Sequence, residues 1–153
     1  MAADDFFVFA HALEEIHKGN VDFENDSFRM VLVADSYTPN QLTDDAWSDI
    51  SADEVANGGG YSTNGETLAV TVSRSGNIVT VDCDNQVWSS ATITAKYAVI
   101  VRDADANGTL AASDLPISFV DLLPSGGSAS STNGDFSVTI NANGVFRSTA
   151  AIT

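Results

Sequence analysis

From Ser27 onward the chain is written largely in period two, and that constrains its fold more than any other feature. In the run Ser27 to Ala34, Phe28, Met30 and Leu32 alternate with Arg29, Val31 and Val33, and successive side chains of a strand point to opposite faces. The turn-rich Ser36-Tyr-Thr-Pro-Asn40 closes that run. Thr67 to Arg74 and Ile78 to Asp82 alternate again around Ser75-Gly-Asn77, which predicts a hairpin. Val87 to Trp88 and Thr92 to Val101 add strands. The second ends in Tyr97-Ala-Val-Ile-Val101, a continuous apolar run suited to a central strand buried on both faces. Ile117 to Leu122 and Phe136 to Ile140 are separated by a Gly/Ser-rich loop, 126–134, expected to be flexible. Asn143-Gly144 marks a last hairpin into Val145, Phe146 and Arg147. Roughly seven to nine short strands with regularly spaced turns predict a mainly β chain, an antiparallel β-sandwich or barrel-like domain, and not a βαβ arrangement.

One helix precedes this β region, which spans about 27–148. Phe6, Phe9, Ala10, Leu13 and Ile16 recur at spacings of three and four, which places a helix over about 5–18, capped by Asp4 or Asp5 and stopped at Gly19. Its apolar stripe is expected to cover a face or edge of the sheet, or to dock on a neighbouring subunit. Between strands, Thr43-Asp-Asp-Ala-Trp47 suits a short helical turn, and Gly58-Gly-Gly60 a flexible elbow before Tyr61, in an exposed connection. The 153 residues, 44% of them hydrophobic, are enough for one domain over 1–153 with its own core. No linker or tandem repeat divides the chain.

Twenty-one Asp and Glu against six Lys and Arg give a formal charge of −15. A surface of that sign repels phosphate backbones and anionic membrane surfaces, so neither nucleic acid nor membrane is expected as a partner. Apolar runs fall far short of the roughly 20 residues that cross a bilayer. The opening Met-Ala-Ala-Asp-Asp has no positive n-region, so synthesis in a cytoplasm is expected. Cys83 is the one cysteine. It continues the apolar alternation of Ile78, Val79 and Val81, and is expected to be a small buried hydrophobe instead of a reactive thiol.

The inventory for catalysis is thin. His11 and His17, six apart on a helix, are turned about 240° from each other and cannot share a ligand. Neighbouring pairs such as Glu14-Glu15 and Asp44-Asp45 point apart, and no nucleophile elbow, phosphate loop or His-Glu metal helix occurs. The chain is therefore expected not to be an enzyme. One motif stands out: Asp103-Ala-Asp105-Ala-Asn107-Gly108-Thr109-Leu110-Ala-Ala-Ser-Asp114. Oxygen side chains fall at loop positions one, three and five, Gly at six and a carboxylate at twelve, with Thr109 offering its backbone carbonyl. Calcium is the cofactor this pattern would take, although Asp114 is shorter than the usual bidentate Glu and the flanks read as strands. The same residues suit a hairpin loop in which Asn107-Gly108 turns and the Asp side chains accept backbone hydrogen bonds. Trp47 and Tyr61, placed in exposed connections, would be the platform if the chain were a carbohydrate-binding adhesive module. The other aromatics fall mostly on apolar faces and are expected in the core.

The block Asp26-Ser-Phe-Arg-Met-Val-Leu-Val-Ala-Asp-Ser-Tyr-Thr-Pro-Asn40 resembles the opening of small structural proteins of tailed bacteriophages. In those proteins an N-terminal helix precedes a strand ending in a Tyr-Thr-Pro turn. A Gly-Tyr elbow like Gly60-Tyr61 follows, then a hairpin like Val70 to Val81 and a strand like Thr94-Ala-Lys-Tyr-Ala-Val-Ile-Val101. The resemblance runs over about residues 5 to 123 and consists of order and short motifs. The tail from Pro124 departs from the shorter family pattern. Membership implies a virion component. Capsid decoration, or cement, proteins of this kind are β-rich, often trimeric, and bind the major capsid protein on the outer capsid surface. A tail, collar or baseplate piece is the alternative the resemblance leaves open, and a calcium-dependent hydrolase domain would still lack any nucleophile or base.

Overall fold

Alternation became strands that pair antiparallel throughout the described residues, 5–153 of a computed structural model. In chain order these residues form β1 (Phe7–Val8), α1 (Ala10–Lys18), β2 (Ser27–Val33), β3 (Glu66–Leu68), β4 (Val70–Ser75), β5 (Ile78–Cys83) and β6 (Gln86–Ala91). They continue with β7 (Thr94–Ala95), β8 (Tyr97–Asp103), β9 (Leu115–Asp121), β10 (Ala129–Ser130), β11 (Gly134–Val138) and β12 (Phe146–Thr149). The main sheet runs β1-β9-β8-β2-β3, with β12-β5-β4, β11-β6 and β10-β7 as smaller sheets. The main sheet is open, with β1 and β3 at its edges, so the arrangement is sandwich-like and not a closed barrel.

β8 is the central strand, as its continuous apolar run implied. Ala98 to Val101 are buried on both faces between β9 and β2, and β2 is likewise buried from Met30 to Val33. Buried residues of both the main sheet and the smaller ones belong to one hydrophobic core. Phe23 ties two sheets together, stacking on Phe28 of β2 at 5.5 Å and on Phe146 of β12 at 6.4 Å. Trp88 of β6 sits 6.1 Å from both Tyr61 and Phe136.

The structure corrects several sequence expectations. The helix begins at Ala10, not near residue 5, because Phe7 and Val8 pair with Phe119 and Ser118 as an edge strand. An aromatic and β-branched stretch gains more from a sheet edge and from packing on Phe119 than from an added helical turn. The cap expected at Asp4 lies outside the described residues, and Asp5 instead accepts from the amides of Asn141 and Asn143. The C-terminal stop at Gly19 is as expected: φ is +77°, Gly19 N–H donates to Ile16 O and Asn20 N–H to Glu15 O, a Schellman pair.

The β4–β5 hairpin forms with Gly76, φ +60°, at the first turn position, which type II′ gives to glycine. The run from Thr67 breaks at Ala69, however, where the chain leaves the main sheet after β3 and enters another as β4. Thr92 to Val101 breaks likewise into β7 and β8. The helical turns of the long connection fall at Trp47–Asp49 and Ser51–Asp53, later than Thr43. Asn143-Gly144 does turn, yet β12 pairs with β5 and not with β11, so no last hairpin forms. Gly144 lies so close to Val81 that a Cβ there would sit 2.4 Å from its carbonyl, and the chain is directed onto β5. Nor is the 126–134 loop free. Ala129–Ser130 pair with β7, Ser131 exchanges two backbone bonds with Ile93, and Asn133 N–H donates to Thr92 Oγ1.

Candidate functional site

The Asp-rich loop joins β8 and β9, two largely buried neighbours in the main sheet. Asp103, the last residue of β8, is 3% exposed, and Asp114 just before β9 is 4% exposed, while Asp105, Asn107 and Thr109 between them are exposed. Asp103 Oδ2 accepts from Gly108 N–H at 2.8 Å. Asn107 Oδ1 accepts from Thr109 N–H at 2.8 Å. Asp114 accepts from Ala111 N–H at 2.8 Å and, more weakly, Ala104 N–H at 3.3 Å. These are the backbone bonds of the hairpin-loop reading, and they organise the same residues that the calcium reading selects. Asp103 Oδ1 is buried with no hydrogen-bond partner. Among the described residues no three His, Cys, Asp or Glu side chains converge on a point that could hold a metal by themselves.

The aromatic platform is a correction. Trp47 is 3% and Tyr61 2% exposed, both inside the core, so the connection that bears them offers no stacking surface for a sugar. The Trp47 backbone N–H donates to Asp114 O at 2.8 Å, holding the connection against the loop. Tyr61 continues the sheet where β3 ends. Its hydroxyl accepts from Leu32 N–H at 3.1 Å and donates to Glu54 Oε1 at 2.7 Å. Glu54 Oε1 also accepts from Asn64 N–H at 2.6 Å, and burial raises the Glu54 carboxyl above its ordinary value despite these donors. Sequence reading missed this half-buried carboxylate because Glu54 lies in a stretch without periodicity.

Several other titratable groups have local partners. His17 Nδ1 lies 2.7 Å from Leu13 O, and His11 lies 3.9 Å from Glu14 on the helix surface, so the two histidines serve separate places. Glu14 and Glu15 share Lys18, and Asp44 accepts from the Tyr37 hydroxyl and Asn40 N–H. A groove of about 350 Å³ between the N-terminal segment and β12 carries Asp5, Asn143 and Arg147, whose polar atoms bond one another. Cys83 is buried, which pushes its thiol up to about 12.

All six cations are engaged. Arg102 grips Asp26 through Nε at 2.6 Å, Lys96 pairs with Asp121 at 2.8 Å, and Lys18 with Glu14 at 2.6 Å. Arg29 donates to Asn64 O and Gly65 O, Arg74 to Gly76 O, and Arg147 to Asn143 Oδ1. The unbalanced surface is acidic, and exposed large apolar side chains interrupt it: Val72, Val87 and Ile152, and Phe7, Leu13 and Leu42 at 52%, 40% and 78% exposure. The segments of the last three are joined, since Ala10 N–H donates to Gln41 O and the Gln41 amide to Val8 O.

Among the described residues, fold and site together define an antiparallel, sandwich-like β domain with one α-helix, an acidic surface and several exposed apolar side chains. No family model matches the chain, no curated protein matches its sequence, and no solved structure matches its fold.

Proposed function

We propose that this chain is a structural protein of a tailed-phage virion: a capsid decoration, or cement, protein that binds the major capsid protein on the outer capsid surface and stabilises the shell. It acts by assembly as a homo-oligomer, a trimer, and not as an enzyme. The observation that carries this reading is the exposure of Phe7, Leu13 and Leu42, on segments tied together by hydrogen bonds, in a chain of charge −15. Large apolar side chains exposed on a highly charged surface support a reading in which another protein covers them. The acidic remainder disfavours a position against packaged DNA and favours the outer face of a shell. The phage-like order of motifs over residues 5 to 123 supplies the setting. Each contact of such a protein can be weak, because a trimer that touches several capsomers gains effective concentration without new chemistry.

Imaging of purified particles of the encoding phage, with and without this protein, tests the reading. Density over capsomer joints is expected. Density confined to the tail would make the chain a tail, collar or baseplate piece, and absence from the virion would refute both assignments.

A further inference from the structure

We propose that β4 is an interaction edge that pairs antiparallel with the β4 of a second copy of this chain, joining two small sheets across a two-fold axis. The hairpin register fixes which groups are available. With Gly76-Asn77 as a two-residue loop, Ser75 and Ile78 form the hydrogen-bonded pair that closes it, and alternation makes Ser73 with Thr80 and Thr71 with Asp82 the next such pairs. Three further bonds agree with that phase. Asp84 N–H donates to Ala69 O, and on the far side of β5 Asn77 O and Val81 O accept from Ala150 N–H and Val145 N–H. The N–H and C=O groups of Val70, Val72 and Arg74 therefore point away from β5. Among the described residues none of those backbone groups has a hydrogen-bond partner, and β4 is the outermost strand of its sheet.

Such an edge is a template for another strand, and folded chains ordinarily blunt it by shortness, proline, lysine, a bulge or a covering element. β1 and β3, the edges of the main sheet, are two and three residues long, while β6 carries Ser90 at φ +52° and a register shift against β11. β4 keeps six residues in unbroken register with β5, contains no Pro, Lys or Gly, and is exposed on both faces from Thr71 to Ser75. Charge selects the occupant. Two copies of a chain carrying −15 repel one another, yet the strands of this small sheet hold Arg74, Arg147 and Asp82 as their only charged residues, and residues 67–81 contain no Asp or Glu. A second copy approaches this edge without the like-charge cost that the acidic surface imposes. Centred on Val72, the pair uses all three outward residues of each copy: Val72 exchanges both bonds with its counterpart, and Arg74 stands opposite Val70 instead of another Arg. Val72, 38% exposed, is then covered by its counterpart on one face. So short a paired span is small beside a standard interface, so the pair forms as concentration rises. The contact uses none of Phe7, Leu13 and Leu42 and does not depend on the virion reading; a trimer formed elsewhere on the surface would be joined by it to a second.

The test is sedimentation equilibrium of the full chain over a concentration series, in moderate salt to screen the acidic remainder. A mass of an even number of chains is expected at the high end. Val72→Lys and Val72→Glu should each halve that mass, because two like charges then meet at the axis, and an equimolar mixture of the two variants should restore it. Val72→Pro should halve it as well, since the N–H it removes is one that β5 does not use, and the circular dichroism of the folded chain should be unchanged. Val72 is exposed, so the Lys and Glu variants decide the matter if the Pro variant fails to fold. A wild-type mass of one chain, or of an odd number, overturns the proposal and leaves the edge to a strand of another protein. So does a mass that survives these substitutions, or a Lys and Glu mixture that stays halved.

Discussion

Replacing Tyr61 by Phe removes one oxygen and leaves the ring in the core, so it isolates what the hydroxyl does. β3 stops pairing with β2 at Met30, and the Tyr61 hydroxyl takes up the next inward N–H, that of Leu32, at 3.1 Å. It passes its own proton to Glu54 at 2.7 Å. Without it a buried amide loses its acceptor, a loss of about 1–3 kcal/mol, and a partly buried carboxylate loses a donor, worth about 1.5–3 kcal/mol. Glu54 keeps Asn64 N–H, so the sum belongs toward the lower end, about 2.5–4 kcal/mol. For a chain of this length that lowers the unfolding midpoint by about 5–16 °C.

The pH dependence has a definite sign. Burial raises the folded-state Glu54 carboxyl, so its contribution is fully present below its unfolded value and is lost as pH rises through the higher folded value. Tyr61→Phe removes a group that favours the charged form and raises that folded value further, so the deficit should widen above this range and shrink below it. Urea unfolding at several pH values measures both, with an unchanged denaturant slope as the control for two-state behaviour. A deficit below about 0.5 kcal/mol at neutral pH would refute the argument that this hydroxyl completes the ladder.

Gly65→Ala should be among the most damaging small substitutions: φ is +61°, and a Cβ would lie 1.9 Å from Met30 O, so β2 and the 62–66 turn would have to separate. Loss of soluble expression, or a drop of more than about 3 kcal/mol in chemical denaturation, is expected, and a neutral result would mean the two segments are not in contact. The Cys83 thiol, buried and pushed up to about 12, should resist a thiol reagent at neutral pH in the native protein and react promptly in denaturant. Rapid native labelling would show that β5 is open to solvent.

Local pattern made the strands of this protein legible and left their partners unspecified. Period-two alternation in Ser27–Val33, the glycine turn between β4 and β5, the apolar run of β8 and the Gly19 stop all depend on residues within one turn or one strand of each other, so the chain alone determines them. What it could not announce depends on groups far apart in sequence. Phe7 and Val8 became an edge strand because Phe119 and Ser118 stood opposite, not because their own pattern ceased to be helical. Phe146–Thr149 left the expected hairpin for β5 because Gly144 packs on Val81. Trp47 and Tyr61, set among polar and glycine residues, were drawn inside by Asp114 O, Leu32 N–H and Glu54. The Asp-rich loop divides the same way. Its spacing of oxygen side chains is written in the sequence, whereas the burial of Asp103 and its unpartnered oxygen arise only when β8 and β9 lie side by side and close the loop between them.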